Sequence, residues 1–333
     1  MTDKISNQDL CNEVEKAHHR IKSYIRRTPL EYSAYLSERT CAKVYLKLES
    51  EQITGAFKAR GAFNKVLKFS EYDSKQTEGK KFFTASSGNH GMAMTMALQA
   101  SGKKGTIYVP NNVAKSKFEN LVLHKADVRK FGDDCMVTER EAMRAAKEEG
   151  GIYVSPYNDP DIIAGQGTIG LEILQDLKDV DAVFVTVGGG GMISGISSYL
   201  KQIKPSIKII GCSPVNSNVM EQSAEAGRQI EIVNLDTLSD GSAGNIDIPS
   251  ITFPICQRNV DRWVNVTEDE IADAMYLMLD VHHKVIEGAA GVALASFLKV
   301  KADFQGQNVA VVICGSGVGI ATIKKIIDTH WKE

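Results

Sequence analysis

Hydrophobic and polar residues alternate along the chain between two patterns, short β-branched or aromatic runs and longer stretches with helical spacing. The apolar runs of strand length are Phe82–Thr84, Thr106–Val109, Ile152–Val154, Ala182–Val187, Ile207–Cys212 and Val309–Cys314. The last three have almost no polar alternation, as is expected of strands that are buried on both faces. Helical spacing occupies the stretches Met92–Gln99, Ala114–His124, Ile169–Leu177, Met192–Ile203 and Glu270–His282. This alternation predicts an α/β fold with mainly parallel sheets covered by helices.

The composition is that of an ordinary folded protein. The 333 residues are 43% hydrophobic and 24% charged, with a formal net charge of −2, so intrinsic disorder is not expected. No basic excess or basic stripe is present, which argues against nucleic acid as a partner. No run of about 18 uncharged apolar residues is present, so no membrane span is expected. The polar N-terminus lacks the apolar core of a signal peptide, and we therefore expect a cytoplasmic protein.

The spacing of the cysteines bears on disulfides and metals. The six cysteines lie at positions 11, 41, 135, 212, 256 and 314, without a Cys-x-x-Cys pair or a short cluster with histidine. Secreted disulfide frameworks and zinc sites have tighter spacing, so the sequence predicts reduced thiols and no zinc site.

Two segments near the N-terminus carry residues that could do chemistry. In Thr54–Ala62, Lys58 is flanked by Phe57 and by small residues. An apolar surrounding would lower the pKa of this amine and free it for Schiff-base chemistry, whereas a solvated surface lysine is the simpler alternative. The second segment, Ser86–Gly91, follows a strand and opens a helix. Its hydroxyls and backbone amides either bind a carboxylate or merely cap the helix.

Two further segments follow buried strands. Val187–Met192 contains four consecutive glycines, which can bring several backbone N–H groups onto one phosphate. No G-x-G-x-x-G can be read across it, and no Gly-Lys-Ser/Thr follows, so neither a dinucleotide fingerprint nor a Walker motif is present. Cys314 ends a strand and precedes a glycine, at the sheet edge where open α/β proteins bind ligands. A buried cysteine is otherwise simply a small apolar residue.

In combination, these segments are similar to those of one known family. The motifs TGAFKARGA, TASSGNHGMA, IAGQGTIGLEIL, VGGGGMISGI and EGAAGVA occur in this order between about His18 and Ile326. The chain resembles the fold type II pyridoxal-phosphate enzymes of the serine/threonine dehydratase and serine racemase family. This resemblance implies a fold like that of tryptophan synthase β, with two open parallel-type sheets and helices on both faces. We expect a large cofactor-binding domain of residues 1–80 and 159–333, an inserted small domain of residues 81–158, and a homodimer.

The resemblance also implies roles for individual residues. Lys58 would hold pyridoxal 5′-phosphate covalently and later move the substrate α-proton, while Phe57 would pack beside the cofactor. Asn89 would hydrogen-bond the 3′ oxygen of the cofactor ring, and Cys314 would face the pyridine nitrogen. The phosphate would be held by Gly188, Gly189, Gly190, Gly191 and Met192. The substrate carboxylate would be bound by Ser86, Ser87, Gly88, Asn89 and His90.

These roles imply α,β-elimination from a β-hydroxy amino acid such as L-serine, L-threonine or 3-hydroxyaspartate, with a 2-oxo acid and ammonia as products. The thiol of Cys314 would stabilise a protonated pyridine ring only weakly, which favours prompt loss of the β-substituent. Racemisation is the alternative. It needs a second acid/base on the opposite face of the α-carbon, and Ser87 matches the position that serves this role in serine racemases. A catalytically silent ligand-binding protein is a third reading, which Lys58 disfavours.

The chain departs from the family pattern in two places. Ser213 and Val219 stand where relatives have the carboxylates of a divalent-metal site, so no metal is expected. Ser155 and Tyr157 stand where serine racemases carry His and Asn, which indicates a different substrate pocket that would suit hydroxyaspartate or an aryl serine. The chain ends soon after the last motif, and we therefore expect no C-terminal regulatory domain like that of biosynthetic threonine dehydratases.

Overall fold

The computed structural model describes residues 5–71 and 79–331. The strands are β1 Leu30–Tyr32, β2 Lys43–Leu48, β3 Phe82–Ala85, β4 Gly105–Val109, β5 Asp127–Lys130, β6 Ile152–Tyr153, β7 Ala182–Thr186, β8 Lys208–Pro214, β9 Arg262–Val266 and β10 Asn308–Ile313. The helices are α1 Asn7–Ile21, α2 Ala34–Thr40, α3 Lys58–Phe69, α4 Asn89–Ser101, α5 Lys115–Leu123, α6 Cys135–Glu148, α7 Pro160–Asp176, α8 Gly191–Ile203, α9 Val219–Glu225, α10 Thr252–Asn259, α11 Glu268–Asp280, α12 Gly288–Val300 and α13 Ile320–His330. Each of the six predicted apolar runs coincides with a strand to within two residues at each end, and each predicted helical stretch overlaps a helix and extends at most two residues beyond it.

The larger sheet has six strands in the order β1-β2-β10-β7-β8-β9. All of its neighbouring strands are parallel except β1, which pairs antiparallel with β2. The central strands β7 and β10 are buried along almost their whole length, and α12 packs against them as well as against β8 and β9. An edge-to-face contact between the rings of Phe184 and Phe297, with centroids 5.4 Å apart, joins β7 to α12.

The smaller sheet has four parallel strands in the order β5-β4-β3-β6. Its core is shared with α3, since Ala59, Phe63 and Val66 belong to the same apolar cluster as Phe82 and Met94. The helix that begins with Lys58 therefore packs on the small sheet, although it precedes that sheet in the chain.

Four buried charges hold the first turn of α3. The guanidinium of Arg60 donates to Glu49 at 2.7 Å and to Glu172 at 2.7 Å, and Lys47 donates to Glu172 at 2.6 Å. All four side chains are at most 2% exposed. Two positive and two negative charges balance, as a dry interior requires. Arg60 lies two residues after Lys58, so this network ties the start of α3 to β2 and to α7.

The structure also bears on membrane insertion and on the state of the cysteines. In the part of the chain that the structure describes, no helix is both long and apolar enough to cross a membrane. Among the side chains that the structure describes, five cysteines are free thiols, namely Cys11, Cys41, Cys212, Cys256 and Cys314.

Candidate active site

Lys58 is the first residue of α3, and the loop before it pairs with the end of β10. The amide of Phe57 donates to the carbonyl of Cys314 at 3.0 Å, and the amide of Ser316 donates to the carbonyl of Gly55 at 2.8 Å. These two bonds bring the predicted catalytic lysine and the predicted cysteine to the same sheet edge, although they are far apart in the sequence.

The amine of Lys58 is largely desolvated. It donates to the carbonyl of Pro156 at 2.9 Å and lies 5.0 Å from the ring centroid of Phe57. Desolvation lowers the pKa of Lys58 to about 8, while the nearby Cys314 and Glu287 partly oppose this shift. A substantial neutral fraction therefore exists near physiological pH, and the neutral amine is the nucleophilic and basic form.

The Ser86–His90 loop surrounds the N-terminus of α4. Gly88 is the N-cap and supplies no side-chain hydrogen bond to the first turn, so the first amides of the helix are available to an anion. The backbone of Ser86 is anchored by its amide, which donates to the carbonyl of Tyr108 at 3.1 Å. Gly91 allows this close packing, because a Cβ there would lie 2.1 Å from the carbonyl oxygen of Ser86. Ser87 is half-buried in the same loop.

His90 differs from the rest of this loop because its side chain is buried. It is 2% exposed, and among the described residues neither ring nitrogen has a hydrogen-bond partner. Burial, together with the charge of Lys58, lowers the pKa of His90 to about 3. The imidazole is therefore neutral, so His90 adds no positive charge that would attract a carboxylate.

Glu287 is the residue that sequence reasoning missed. It precedes α12, is 5% exposed, and accepts hydrogen bonds from the carboxamide of Asn89 at 3.0 and 3.1 Å and from the amide of Gly317 at 2.9 Å. Its carboxylate lies 4.0 Å from the sulfur of Cys314. Desolvation raises the pKa of Glu287, although the bonds from Asn89 and Gly317 oppose this. The sequence offered one signal for this residue, because Glu287 is the first residue of the motif EGAAGVA.

The four glycines of the predicted phosphate loop follow β7, and α8 begins at the fourth, Gly191. Gly190, at φ +82°, is the N-cap and gives no side-chain hydrogen bond. A Cβ at Gly189 would lie 2.4 Å from the ring of Tyr157, and a Cβ at Gly188 would lie 2.6 Å from the carbonyl of Ser242. The cradle thus has the bare backbone and the free helix N-terminus that suit a phosphate. Met192 is buried in the first turn of α8.

Uncharged side chains occupy the two positions at which relatives have the carboxylates of a divalent-metal site. Ser213 donates from its hydroxyl to the carbonyl of Val187 at 3.4 Å, and Val219 begins α9. Over residues 5–71 and 79–331, no three or more His, Cys, Asp or Glu side chains are grouped so that they could hold a metal ion.

Comparison with known proteins identifies the family. Residues 21–315 match the family model described as pyridoxal-phosphate dependent enzyme. The chain belongs to this family. The predicted family, α/β fold and cofactor are confirmed, so this enzyme uses pyridoxal 5′-phosphate and is of the serine/threonine dehydratase type.

The curated relatives of this pyridoxal-phosphate enzyme include L-threonine ammonia-lyase of Thermotoga maritima. That protein is 39% identical over 317 residues, covering 95% of this chain and 77% of the relative. The catabolic L-threonine dehydratase TdcB of Escherichia coli is 35% identical over 318 residues, with 95% of each protein covered.

Solved structures similar to this enzyme include both lyases and racemases. Threonine deaminase isoform 2 of Solanum lycopersicum has a TM-score of 0.90 at 29% identity, covering 98% of this chain and 94% of that one. Maize serine racemase has a TM-score of 0.87 at 29% identity, with coverages of 96% and 97%.

Proposed function

We propose that this enzyme acts mainly as an ammonia-lyase on L-threonine or L-serine, yielding 2-oxobutanoate or pyruvate and ammonia. The observation that carries this proposal is the Lys58 amine, with a pKa of about 8, held at the sheet edge beside a free helix N-terminus and a four-glycine cradle. The names of the curated relatives support it. Racemisation is the second candidate, supported by the half-buried Ser87 and by racemases among the similar structures.

The residues present suit the cofactor. When bound, pyridoxal phosphate supplies an aldehyde and an electron-withdrawing ring, which together make the α-proton of an amino acid acidic. The glycine cradle and the first turn of α8 would hold its phosphate, and the Phe57 ring would pack beside it. Asn89 and Cys314 would contact its ring.

Different residues would bind the substrate carboxylate and remove the α-proton. The amides at the start of α4, with Ser86 and Ser87, would hold the substrate carboxylate and orient the α-carbon. The neutral amine of Lys58 would remove the α-proton, an effect of proximity and of a pKa near the working pH. Elimination needs no second acid/base on the opposite face, because the proton that Lys58 takes from the α-carbon would be returned to the β-hydroxyl, which then leaves as water.

The proposal is tested by incubating the purified holoenzyme with L-threonine, L-serine, D-serine and 3-hydroxyaspartate. Formation of 2-oxo acid and interconversion of enantiomers are both followed. Fastest formation of 2-oxo acid from L-threonine or L-serine supports the lyase. A rate of enantiomer interconversion above the rate of elimination would instead identify a racemase.

Replacing Ser87 with alanine should separate the two activities. The variant should lose any racemisation and any turnover of D-serine, because no second acid would remain on the face opposite Lys58. Carboxylate binding should weaken by one hydrogen bond, roughly 1 kcal/mol. We therefore expect a several-fold rise in KM for L-serine, with most of kcat kept. Equal loss of activity on both enantiomers would make Ser87 a binding residue only.

Chelation should leave elimination activity nearly unchanged, because Ser213 and Val219 offer no carboxylate to a hard cation. The measurement compares initial rates before and after dialysis against EDTA, with magnesium or calcium added back as the control. Loss of most activity, restored by either ion, would contradict this expectation.

Uptake of the cofactor should depend on pH through Lys58. Below its pKa of about 8 the amine is protonated and cannot attack an aldehyde, and the neutral fraction grows about tenfold for each pH unit in that range. The rate of reconstitution of the apoprotein should therefore rise with pH and level off above about pH 8. Stopped-flow absorbance measures this rate, and a flat profile from pH 6 to 9 would contradict the assigned pKa.

We also propose the predicted domain division and assembly. All strands of the four-stranded sheet lie within residues 81–158, which supports an inserted small domain. The exposed apolar side chains of Leu123 and Ile320 support a homodimer that covers one or both of them. Light scattering should then give twice the chain mass of 36.4 kDa. The free thiols support a cytoplasmic location, which fractionation of the source cells can test.

A further inference from the structure

A long segment without α-helix or strand, residues 226–251, joins α9 to α10. It contains a single 3₁₀ turn, Asp240–Ser242. Ordered connections of this length are uncommon in compact domains, and they usually serve a function. We call it the connecting segment.

The connecting segment packs on the site in three places. The carbonyl of Ser242 lies so close to Gly188 that a Cβ on the glycine would be 2.6 Å away. The carbonyl of Leu238 lies closer still to Gly288, the residue after Glu287, where a Cβ would be 1.9 Å away. The amide of Asp247 donates at 2.8 Å to the hydroxyl of Tyr157, whose ring covers the glycine loop.

Apolar packing holds this segment at only a few points. Ile246 is buried and Ile232 and Leu238 pack against the main core, whereas Val233 is 86% exposed and Leu235 is 61% exposed. Gly244 has a φ of +119°, a conformation that side-chain-bearing residues rarely adopt. A segment with few buried apolar contacts opens easily unless specific hydrogen bonds hold it.

Several neighbours supply such hydrogen bonds: Glu268 accepts from the amide of Leu238 at 2.6 Å, and Asn158 donates to the carboxylate of Asp247 at 3.0 Å. The middle of the segment is bonded by two residues shortly after β8. The hydroxyl of Ser217 accepts from the amide of Gly244 at 3.0 Å and donates to the carboxamide oxygen of Asn234 at 2.5 Å. Asn216 donates from its carboxamide to the carbonyl of Asp236 at 2.6 Å, and its carbonyl accepts from the amide of Leu235 at 2.9 Å. Ser217 is 2% exposed, so water competes little for its partners.

We propose that Ser217, assisted by Asn216, is a positioning residue for the phosphate loop. It holds the connecting segment against the end of β8, and the segment in turn holds Ser242 against Gly188 and fixes the shape of the glycine cradle. This inference rests on the proposal that Gly188–Met192 bind the cofactor phosphate. Ser217 touches neither substrate nor cofactor in this scheme.

The test is Ser217→Ala, compared with Ser296→Ala. Ser296 is also a buried serine, whose hydroxyl donates to the carbonyl of Val264 at 3.5 Å on a different strand. Two quantities are measured on the apoprotein, amide hydrogen exchange over residues 232–245 and the Kd for pyridoxal phosphate by titration. We expect Ser217→Ala to speed exchange, most of all at the Gly244 amide, and to raise Kd about tenfold, as loss of two buried hydrogen bonds would. At saturating cofactor kcat should be mostly retained, and Ser296→Ala should change neither quantity.

Two outcomes would overturn the inference. If exchange over residues 232–245 is unchanged in Ser217→Ala, the serine does not hold the segment. If exchange rises while Kd stays the same, the segment does not position the phosphate loop.

Should Ser217→Ala fail to fold, Asn216→Ala replaces it, because Asn216 is half-buried and its replacement removes only the bond to Asp236. That variant should show the same two effects at smaller size, and no change in either contradicts the proposal.

A separate variant tests the underlying phosphate assignment. Gly191→Ala places a Cβ 2.9 Å from the backbone of Tyr157, in the cradle itself, and leaves Ser217 and the connecting segment unaltered in sequence. An unchanged Kd in this variant would remove the phosphate assignment. Exchange over residues 232–245 would still report whether Ser217 holds the segment, so the two failures are distinguishable.

Discussion

Replacing Lys58 with alanine should abolish turnover of every amino-acid substrate. The side chain supplies both the amine that attaches the cofactor and the base that removes the α-proton, and a positioned base alone contributes about 10²–10⁴-fold. We therefore expect a loss of more than about 10³-fold in the rate of 2-oxo acid formation. The visible absorbance band of the lysine-bound cofactor should disappear as well. Both are read from one sample, by a coupled assay and by an absorbance spectrum.

Two control variants make this result specific. Lys58→Arg keeps a positive charge but cannot attach the cofactor, so it should be as inactive as the alanine variant. Lys81→Ala removes a surface lysine that is 42% exposed and paired with Glu149, and it should keep full activity. Full activity of Lys58→Ala without an added amine would overturn the assignment of the catalytic lysine.

The second large effect is on stability. Replacing Arg60 with methionine should lower the free energy of unfolding by about 3–5 kcal/mol, because Glu49 and Glu172 would be left buried with too little positive charge. In the native chain Arg60 contacts both carboxylates at 2.7 Å and is fully buried. Urea denaturation at neutral pH, followed by circular dichroism, measures the change.

A surface pair provides the comparison. Arg27 contacts Asp176 at 2.5 Å, but its side chain is 47% exposed, so Arg27→Ala should cost less than about 1 kcal/mol. Similar losses in the two variants would show that burial of the Arg60 network does not matter for stability. The first turn of α3 should also loosen in Arg60→Met, so activity is expected to fall at temperatures where the variant is still folded.

The strand pattern could be read from the sequence where strands are buried on both faces. Such strands appear as uninterrupted apolar runs, and β7, β8 and β10 were predicted within two residues at each end. β2 lies inside the larger sheet and was nevertheless not predicted, because Lys43 and the buried Lys47 interrupt its apolar run. Edge strands lack the signal altogether. Most residues of β1 and β5 are exposed, so nothing in their local composition separates them from loops.

The chemistry of the candidate site was also largely readable from sequence. The chemistry of each segment depends mainly on its own residues. This holds for the lysine among small residues, for the serine-rich helix start and for the glycine loop. Their proximity is what the tertiary structure decided, through the pairing of the 55–57 loop with the end of β10. The individual roles of Lys58, Ser87, Asn89 and Cys314 stay predictions.

Other features depended on tertiary structure alone. Glu287 is a site residue because folding places its carboxylate beside Asn89 and Cys314. Likewise, Ser217 holds the connecting segment because the end of β8 meets Gly244 in space. By itself the sequence determined the fold class, the family and the cofactor, since these follow from short contiguous motifs and local periodicity. Only the tertiary structure decided which distant polar groups share one buried environment, because burial and hydrogen bonding depend on three-dimensional neighbours.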